Sequence, residues 1–294
     1  MRPEQFPLEF NPLAEHFSDL AIRRYSCRSF DGSFLDIEQR TRLLAAINAL
    51  NRVTPPGLRL ALLDAAALRR ENLFSTGTYG MIRRPVAYLA GLSAPKEIND
   101  WIEFGRAMQS LIMLATWLGI DSCWIGGVFD RRTFSRVLDL AAEEKVPAVA
   151  ALGIAARRRT LRDRLVRRGS GGDHRRPFGE LFFDGEWGRP LEPSASPRMA
   201  PLLDNLRRAP SASNRQPWRA VVHDHEIDLY LLRTPGYQRL TPRVDLQAVD
   251  MGIAAAHLEW SAREKRLDLC WSEVSPAPVP GAEPIRKAIL NTEA

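Results

Sequence analysis

The sequence predicts an α+β fold built from two related halves that form a pseudo-dimer, with central sheets flanked by long helices. Short apolar runs of strand length alternate irregularly with stretches of helical spacing. The stretch 98–118 is apolar nearly all round, as a central buried helix requires, and 247–266 forms a second long helix. The second of these helices also repeats the first at a fixed offset.

In chain order, Asp36 and Gln39 form a capping box, and Leu43, Leu44, Ile47 and Leu50 recur at helical spacing, so 36–50 is an amphipathic helix that packs on a sheet. The runs 58–63 and 85–92 read as strands, although periodicity alone does not separate such short runs from helix. The helix 98–118 ends at Gly119, a residue suited to a left-handed cap. A helix over 132–144 leads into 146–154, which reads as a strand buried on both faces. The Pro- and Ser-containing stretch 189–197 is the best linker, and it divides the chain into intertwined halves, 1–188 and 189–294. Beyond it come a helix from near Met199, strands at 219–223 and 226–232 joined by a polar turn, and the helix 247–266.

The repeat is ungapped. An offset of 252 minus 105, or 147, aligns Gly105, Ala107, Leu111, Ala115, Asp121, Cys123 and Trp124 with Gly252, Ala254, Leu258, Ala262, Asp268, Cys270 and Trp271. Gly105 and Ala107 on one helix, and Gly252, Ala254 and Ala255 on the other, make stripes of small residues that allow close backbone approach. The two helices are therefore expected to pack together across a pseudo-two-fold axis.

At 294 residues the chain has interior enough for a proper core. Its three cysteines, Cys27, Cys123 and Cys270, are odd in number and without CxxC spacing, which argues against a disulfide framework or a zinc site and for a reducing compartment. The opening MRPEQFPLEF lacks the apolar core of a signal peptide, and 111–120 is too short to span a bilayer, so a cytoplasmic protein without a membrane partner is expected. Much of the net charge of +6 comes from arginines between 157 and 176, read as a solvated loop or a phosphate contact. No aromatic residues interleave with them, so nucleic acid is not the expected partner. The five histidines show no HExxH spacing, and no Ser, His and Asp set points to hydrolysis.

Three segments carry chemistry. In Arg24-Tyr25-Ser26-Cys27-Arg28-Ser29-Phe30, two arginines flank a serine, the compact set of forked charged donors and hydroxyl that a phosphate monoester needs; the plain alternative is an exposed basic turn. In 209–219, Pro210, Ser211, Asn214, Gln216 and Pro217 precede Trp218; the plain reading is a proline-punctuated loop with a core tryptophan. The long helix with Gly105 and Gln109 runs into Cys123-Trp124-Ile125-Gly126-Gly127-Val128-Phe129, where adjacent glycines either admit a closely approaching ligand or simply make a turn.

Together these segments cover most of the chain and resemble the FMN-dependent nitroreductase family. They are similar to its R-x-S-x-[RK]-x-F opening, its a-P-S-x-x-N-x-Q-P-W segment, and its core helix with the following loop. Arg175-Arg176-Pro177-Phe178 is similar to the family's basic residue two positions before proline, with Arg175 at the matching place. The resemblance implies that Arg24, Ser26 and Arg175 hold the FMN phosphate and that Arg28 lies near the pyrimidine side of the flavin. It sets Trp124, Ile125, Gly126 and Gly127 beside the ring, and closes the site with Ser211, Asn214 and Gln216; Tyr25 and Pro210 complete the cofactor-binding set. Two departures stand out. Many members carry a glutamate where this chain has Gly126, and some carry a lysine where it has Asp173, leaving His174 or an arginine from 157–168 to compensate.

Ordinary members carry both motifs in each subunit, whereas this chain divides them. The segment 51–57 lacks the Ser-Asn-Gln set, and 198–205 lacks R-x-S-x-R. The resemblance therefore points to a fused, tandem-half subgroup with one complete FMN site per chain and a degenerate second site. It implies NAD(P)H as co-substrate, a small-molecule electron acceptor such as a nitroaromatic or quinone, ping-pong kinetics, and no catalytic acid–base residue or metal. A noncatalytic or flavin-free protein that kept the fold is the alternative. A monomeric pseudo-dimer is expected, with further homodimerisation left open.

Overall fold

The computed structural model describes residues 6–70, 82–127, 129–156 and 174–291. Val128, Asp173 and the arginines of 157–168 lie outside these residues. Among the described residues the chain forms eight α-helices and two sheets, an α+β architecture.

The first sheet has the order β1-β2-β4-β3, all antiparallel, from β1 (Leu58–Asp64), β2 (Ala87–Ser93), β3 (Asp121–Ile125) and β4 (Val149–Gly153). Both β2 and β4 are buried along their whole length, as their unbroken apolar runs predict. The second sheet runs β5-β6-β7-β9-β8, from β5 (Phe182–Asp184), β6 (Trp218–Val222), β7 (Glu226–Leu231), β8 (Asp268–Trp271) and β9 (Glu283–Asn291). Only β5 is parallel to its neighbour, β6. It lies before the 189–197 stretch in sequence yet is hydrogen-bonded into the second sheet, so the chain crosses from one sheet to the other before that stretch begins.

Helices α1 (Asn11–Arg23), α2 (Ile37–Val53), α3 (Ala65–Arg70) and α4 (Ile98–Trp117) belong to the first part of the chain. The capping box of α2 is present: Asp36 accepts from the Gln39 N–H at 2.8 Å and the Gln39 side chain accepts from the Asp36 N–H at 3.0 Å, a feature worth about 1 kcal/mol. Next come the short α5 (Arg131–Val137) and α6 (Phe178–Leu181), then α7 (Ala200–Arg207) and the long α8 (Leu246–Glu264).

Two expectations need correction. The helix expected over 132–144 stops at Val137, because Asp139 adopts a left-handed φ of 48° and the Glu144 carboxylate accepts from the Ala141 N–H to close a separate turn. The strand expected over 146–154 is confined to β4, since Pro147 has no N–H to give the ladder and its carbonyl instead accepts from Arg131 at 3.1 Å.

Helices α4 and α8 cross at two glycines. A Cβ on Gly105 would overlap the Val249 carbonyl, and a Cβ on Gly252 would overlap the Ile102 carbonyl. Because 102 plus 147 is 249 and 105 plus 147 is 252, each helix offers the other the same surface, as contacts across a two-fold axis do. The offset extends beyond the helices: β3 spans 121–125 and β8 spans 268–271, and 121 plus 147 is 268. Both helices also end alike. Ile120 N–H donates to Ala115 O and Leu267 N–H to Ala262 O, each at 2.8 Å, with Gly119 (φ 77°) and Arg266 (φ 55°) in the left-handed position between. One apolar core runs through both helices and onto both sheets. No helix among the described residues is long and apolar enough to cross a membrane.

Candidate functional site

After α1 the chain turns at Arg24 into an extended strap that lies along the first sheet. Cys27 N–H donates to Ser122 O at 2.8 Å, and isolated bridges join Ser26 to Ser122 and Phe30 to Ala155. Extended backbone alternates its side chains. Cys27 accordingly enters the core while Arg24, Ser26 and Arg28 line a cavity of about 550 Å³, and beyond Arg28 the alternation breaks, since Phe30 turns into the core. Tyr25 packs on the core and also reaches the cavity wall.

Trp124, Ile125, Gly126 and Gly127, where β3 ends, form another wall. A Cβ on Gly127 would meet nothing within 4 Å, whereas one on Gly126 would sit 2.9 Å from Leu246 Cδ2. A side chain at Gly126 would therefore displace the end of the Leu246 side chain of α8. Trp124 is held from behind. Its ring N–H donates to Gln109 Oε1 at 2.9 Å, and Gln109 Nε2 faces His257 Nε2 at 2.9 Å. His257 Nδ1 lies 2.8 Å from Asn205 O. Gln109 uses its oxygen for Trp124, so its amide donates to His257, which leaves the imidazole proton on Nδ1 for Asn205. Burial pushes the His257 pKa down to about 3, with Arg24 and Arg175 adding to the effect, so the ring stays neutral.

The loop between α7 and β6 closes the cavity from the second part of the chain through Pro210, Ser211, Ala212, Ser213 and Asn214. Ser213, Asn214 and Gln216 all have positive φ, at 50°, 53° and 50°. For non-glycine residues this costs about 1–2 kcal/mol each, strain of the kind that concentrates at functional sites. Several bonds offset it. Ser211 Oγ accepts from the Gln216 N–H at 2.9 Å, Asn214 N–H donates to Ser211 O at 3.0 Å, and Ser213 Oγ lies 3.2 Å from the Tyr237 hydroxyl. Asn214 Oδ1 accepts from Arg175 at 3.1 Å, and Arg175 also donates to Arg208 O at 3.1 Å, which fixes that guanidinium at the cavity edge.

Of the residues singled out in the sequence, Arg24, Tyr25, Ser26, Arg28, Trp124, Ile125, Gly126, Gly127, Arg175, Pro210, Ser211 and Asn214 line this single cavity. Gln216 does not. Its carboxamide accepts from the Arg176 N–H at 2.9 Å and donates to Asn214 O at 3.2 Å, so it ties the segment carrying Arg175 to the loop. Sequence reasoning missed Arg208, Tyr237 and Asp250, which also line the cavity. Asp250 is the single charged residue between Leu246 and Leu258, and an acid inside so apolar a stretch was the available signal. Its carboxyl accepts from the Ala212 N–H at 2.9 and 3.1 Å, and burial raises its pKa well above the ordinary range.

The place related to this cavity by the repeat is filled. Ile253 lines the cavity; at its counterpart, 253 minus 147, stands the buried Arg106, paired with Glu103 at 2.9 Å and Glu259 at 3.0 Å. Ala148 lies two residues before Ala150, the partner of Trp124, and Arg286 lies two before Ala288, the partner of Trp271. Arg286 binds Glu103 at 2.8 Å, Trp271 donates to Glu259 at 2.6 Å, and the Phe6 ring covers Arg106 at 5.1 Å.

A family model described as "Putative TM nitroreductase" matches residues 19–262. A putative nitroreductase from Thermotoga maritima is similar in structure, with a TM-score of 0.56 and 16% identity over 93% of this chain and 92% of that one. A nitroreductase with bound FMN from Bacteroides fragilis aligns at 19% identity over 49% of this chain and 90% of its own, with a TM-score of 0.37. A nitroreductase family protein from Clostridium novyi aligns at 15% identity over 60% and 96%, with a TM-score of 0.39. No curated protein matches the chain.

Proposed function

Since the chain belongs to the nitroreductase family whose model spans residues 19–262, we propose that it is an FMN-dependent oxidoreductase passing electrons from NAD(P)H through FMN to an electrophilic acceptor such as a nitroaromatic or quinone. The observation that carries this reading is the convergence of the Arg24–Arg28 strap and the 210–214 loop, from opposite halves of the sequence, on one cavity. When bound, FMN supplies the two-electron chemistry, and the protein's part is to bind, orient and tune it.

The residues present fit such a group. The volume of about 550 Å³ lies within the usual range for small-molecule clefts, about 300–1,000 Å³. Arg24, Arg28 and Arg175 bring cationic donors suited to a phosphate, and the open side of Gly127 leaves backbone accessible to a flat ring. In this reading Arg24, Ser26 and Arg175 hold the phosphate, and Asn214 orients Arg175. Arg28 stabilises negative charge on the pyrimidine side of the ring. Trp124, Ile125, Gly126 and Gly127 lie along the ring, Tyr25, Pro210 and Ser211 complete the walls, and Gln216 acts through the segment that bears Arg175.

One flavin site per chain is part of the proposal. The ion-paired Arg106 and Arg286, where the cavity has Ile253 and Ala148, support it. We further propose that 1–188 and 189–294 are duplicated halves of a monomeric pseudo-dimer, for which the reciprocal glycine crossing is the physical support, and that the protein acts in the cytoplasm.

The test is anaerobic. FMN-loaded protein, freed of excess flavin, is mixed with NADH or NADPH, and then with menadione or a nitrobenzene. Bleaching of the flavin absorption followed by its recovery is the expected sequence. Flavin that stays bound but is not reduced by either nicotinamide would overturn the enzymatic reading in favour of a flavin-binding protein.

A further inference from the structure

Asp250 occupies a position that the repeat treats in two ways. Its counterpart, 250 minus 147, is Glu103, and that carboxylate is neutralised by Arg106 and Arg286. Asp250 is as deeply buried, has no basic partner among the described residues, and accepts instead from one backbone N–H, that of Ala212. An acid retained inside a protein without a counter-ion is unfavourable unless its hydrogen bond does something that an apolar residue cannot.

We propose that Asp250 is a positioning residue whose carboxyl, fixed on α8, anchors the Ala212 N–H and so sets the path of the 211–216 loop that presents Ser211 and Asn214 to the cavity. Gly252, two residues further on, locks this turn of α8 against α4, so the carboxyl is held on a rigid element. The bonds within the loop, from Asn214 N–H to Ser211 O and from Gln216 N–H to Ser211 Oγ, fold it upon itself without placing it against a helix. Among the described residues, the Ala212–Asp250 bond is the one that ties the backbone of 211–216 to a helix. The loop carries three left-handed residues, and such a conformation persists only where the surroundings over-determine it. Burial of Asp250 strengthens the bond by excluding competing water.

The structural part stands on geometry alone, and its consequence for ligand binding rests on the flavin reading above. Two variants remove the same bond from opposite ends in the full-length chain. Asp250→Leu deletes the acceptor, and Asp250→Asn is the conservative control that keeps one oxygen. Ala212→Pro deletes the donor at the first residue of a 3-10 turn, and Ser211 already has the extended backbone (φ −144°, ψ 159°) that proline requires before it.

In the flavin-free protein, amide exchange across 209–217 is expected to quicken about tenfold or more in Asp250→Leu, with β1–β4 unchanged and Asp250→Asn close to wild type. In FMN titrations followed by flavin fluorescence, Asp250→Leu and Ala212→Pro are each expected to raise Kd about tenfold. The double variant should be no worse than either alone, because both remove one interaction. Wild-type exchange in Asp250→Leu, equal damage from Asp250→Asn, or effects of the two variants that multiply would overturn the assignment. A wild-type protein that binds no FMN would instead remove the flavin reading, with the exchange data still deciding whether Asp250 anchors the loop.

Discussion

Gly105 packs on the carbonyl of Val249, three residues before Gly252, while Gly252 packs on the carbonyl of Ile102, three residues before Gly105. This reciprocity brings the two central helices together and places α8, with Val249, Asp250 and Ile253, in the wall of the cavity. Either glycine replaced by alanine would force a methyl group against a backbone carbonyl, with no flexible side chain to yield. Gly105→Ala and Gly252→Ala are each expected to destabilise the fold by about 3 kcal/mol or more, with similar values for both. Urea denaturation checks this as a lowered midpoint; a loss below about 1 kcal/mol in either variant would contradict the crossing described.

At the related helix ends, Gly119 and Arg266 hold the same left-handed position with φ of 77° and 55°. Arginine is strained there and glycine is not, although glycine also adds entropy to the unfolded chain. Arg266→Gly is expected to stabilise the protein by about 0.5–1 kcal/mol, seen as a small rise in Tm. Gly119→Arg should lower it.

Both of these features follow from the repeat, which was legible in the sequence because its matches include glycines and the Cys-Trp pair that ends it. The arginine-serine strap and the Pro-Ser loop were legible for a similar reason, since rare residue types stand there at fixed spacing. Other features left no such mark. The parallel pairing of Phe182–Asp184 with β6 depends on three residues whose partner lies beyond the linker. No helix is predicted over 11–23, yet α1 forms there and packs Leu13, Phe17 and Leu20 into the core. The side chain of Gln216 sits within the right motif, but its direction is decided by a left-handed φ and by the Arg176 N–H, neither of which can be read from residue types.

The filled counterpart of the cavity makes stability depend on acid pH. Burial alone would raise the pKa of Glu103, but the guanidiniums of Arg106 and Arg286 outweigh it and hold the group at about 2, below its ordinary value near 4.5. A depressed folded-state pKa gives stability that is fully present above the unfolded value and is lost as pH falls through the folded one. The difference in unfolding free energy between wild type and Glu103→Gln should therefore shrink as pH drops from about 5 to about 2, by a few kcal/mol. A difference independent of pH across that window would show that the arginines do not act on this carboxylate.

Asn214 gives a test of the loop's role in fixing Arg175. Because its φ is 53°, Asn214→Gly keeps the backbone geometry and removes only the carboxamide that contacts Arg175 and the His174 carbonyl. The FMN dissociation constant should rise about tenfold while Tm changes little, because relief of the left-handed strain at 214 offsets the lost charge-assisted bond, worth about 1.5–3 kcal/mol. Unchanged affinity would remove Asn214 from the group that orients Arg175.

A single flavin site assembled from both halves of one chain is to be tested by equilibrium titration of the purified protein with FMN, with stoichiometry read from absorption after removal of free flavin. One FMN retained per chain is the predicted result. Two per chain would contradict the filled second position around Arg106 and Arg286, and none would contradict the flavin site itself.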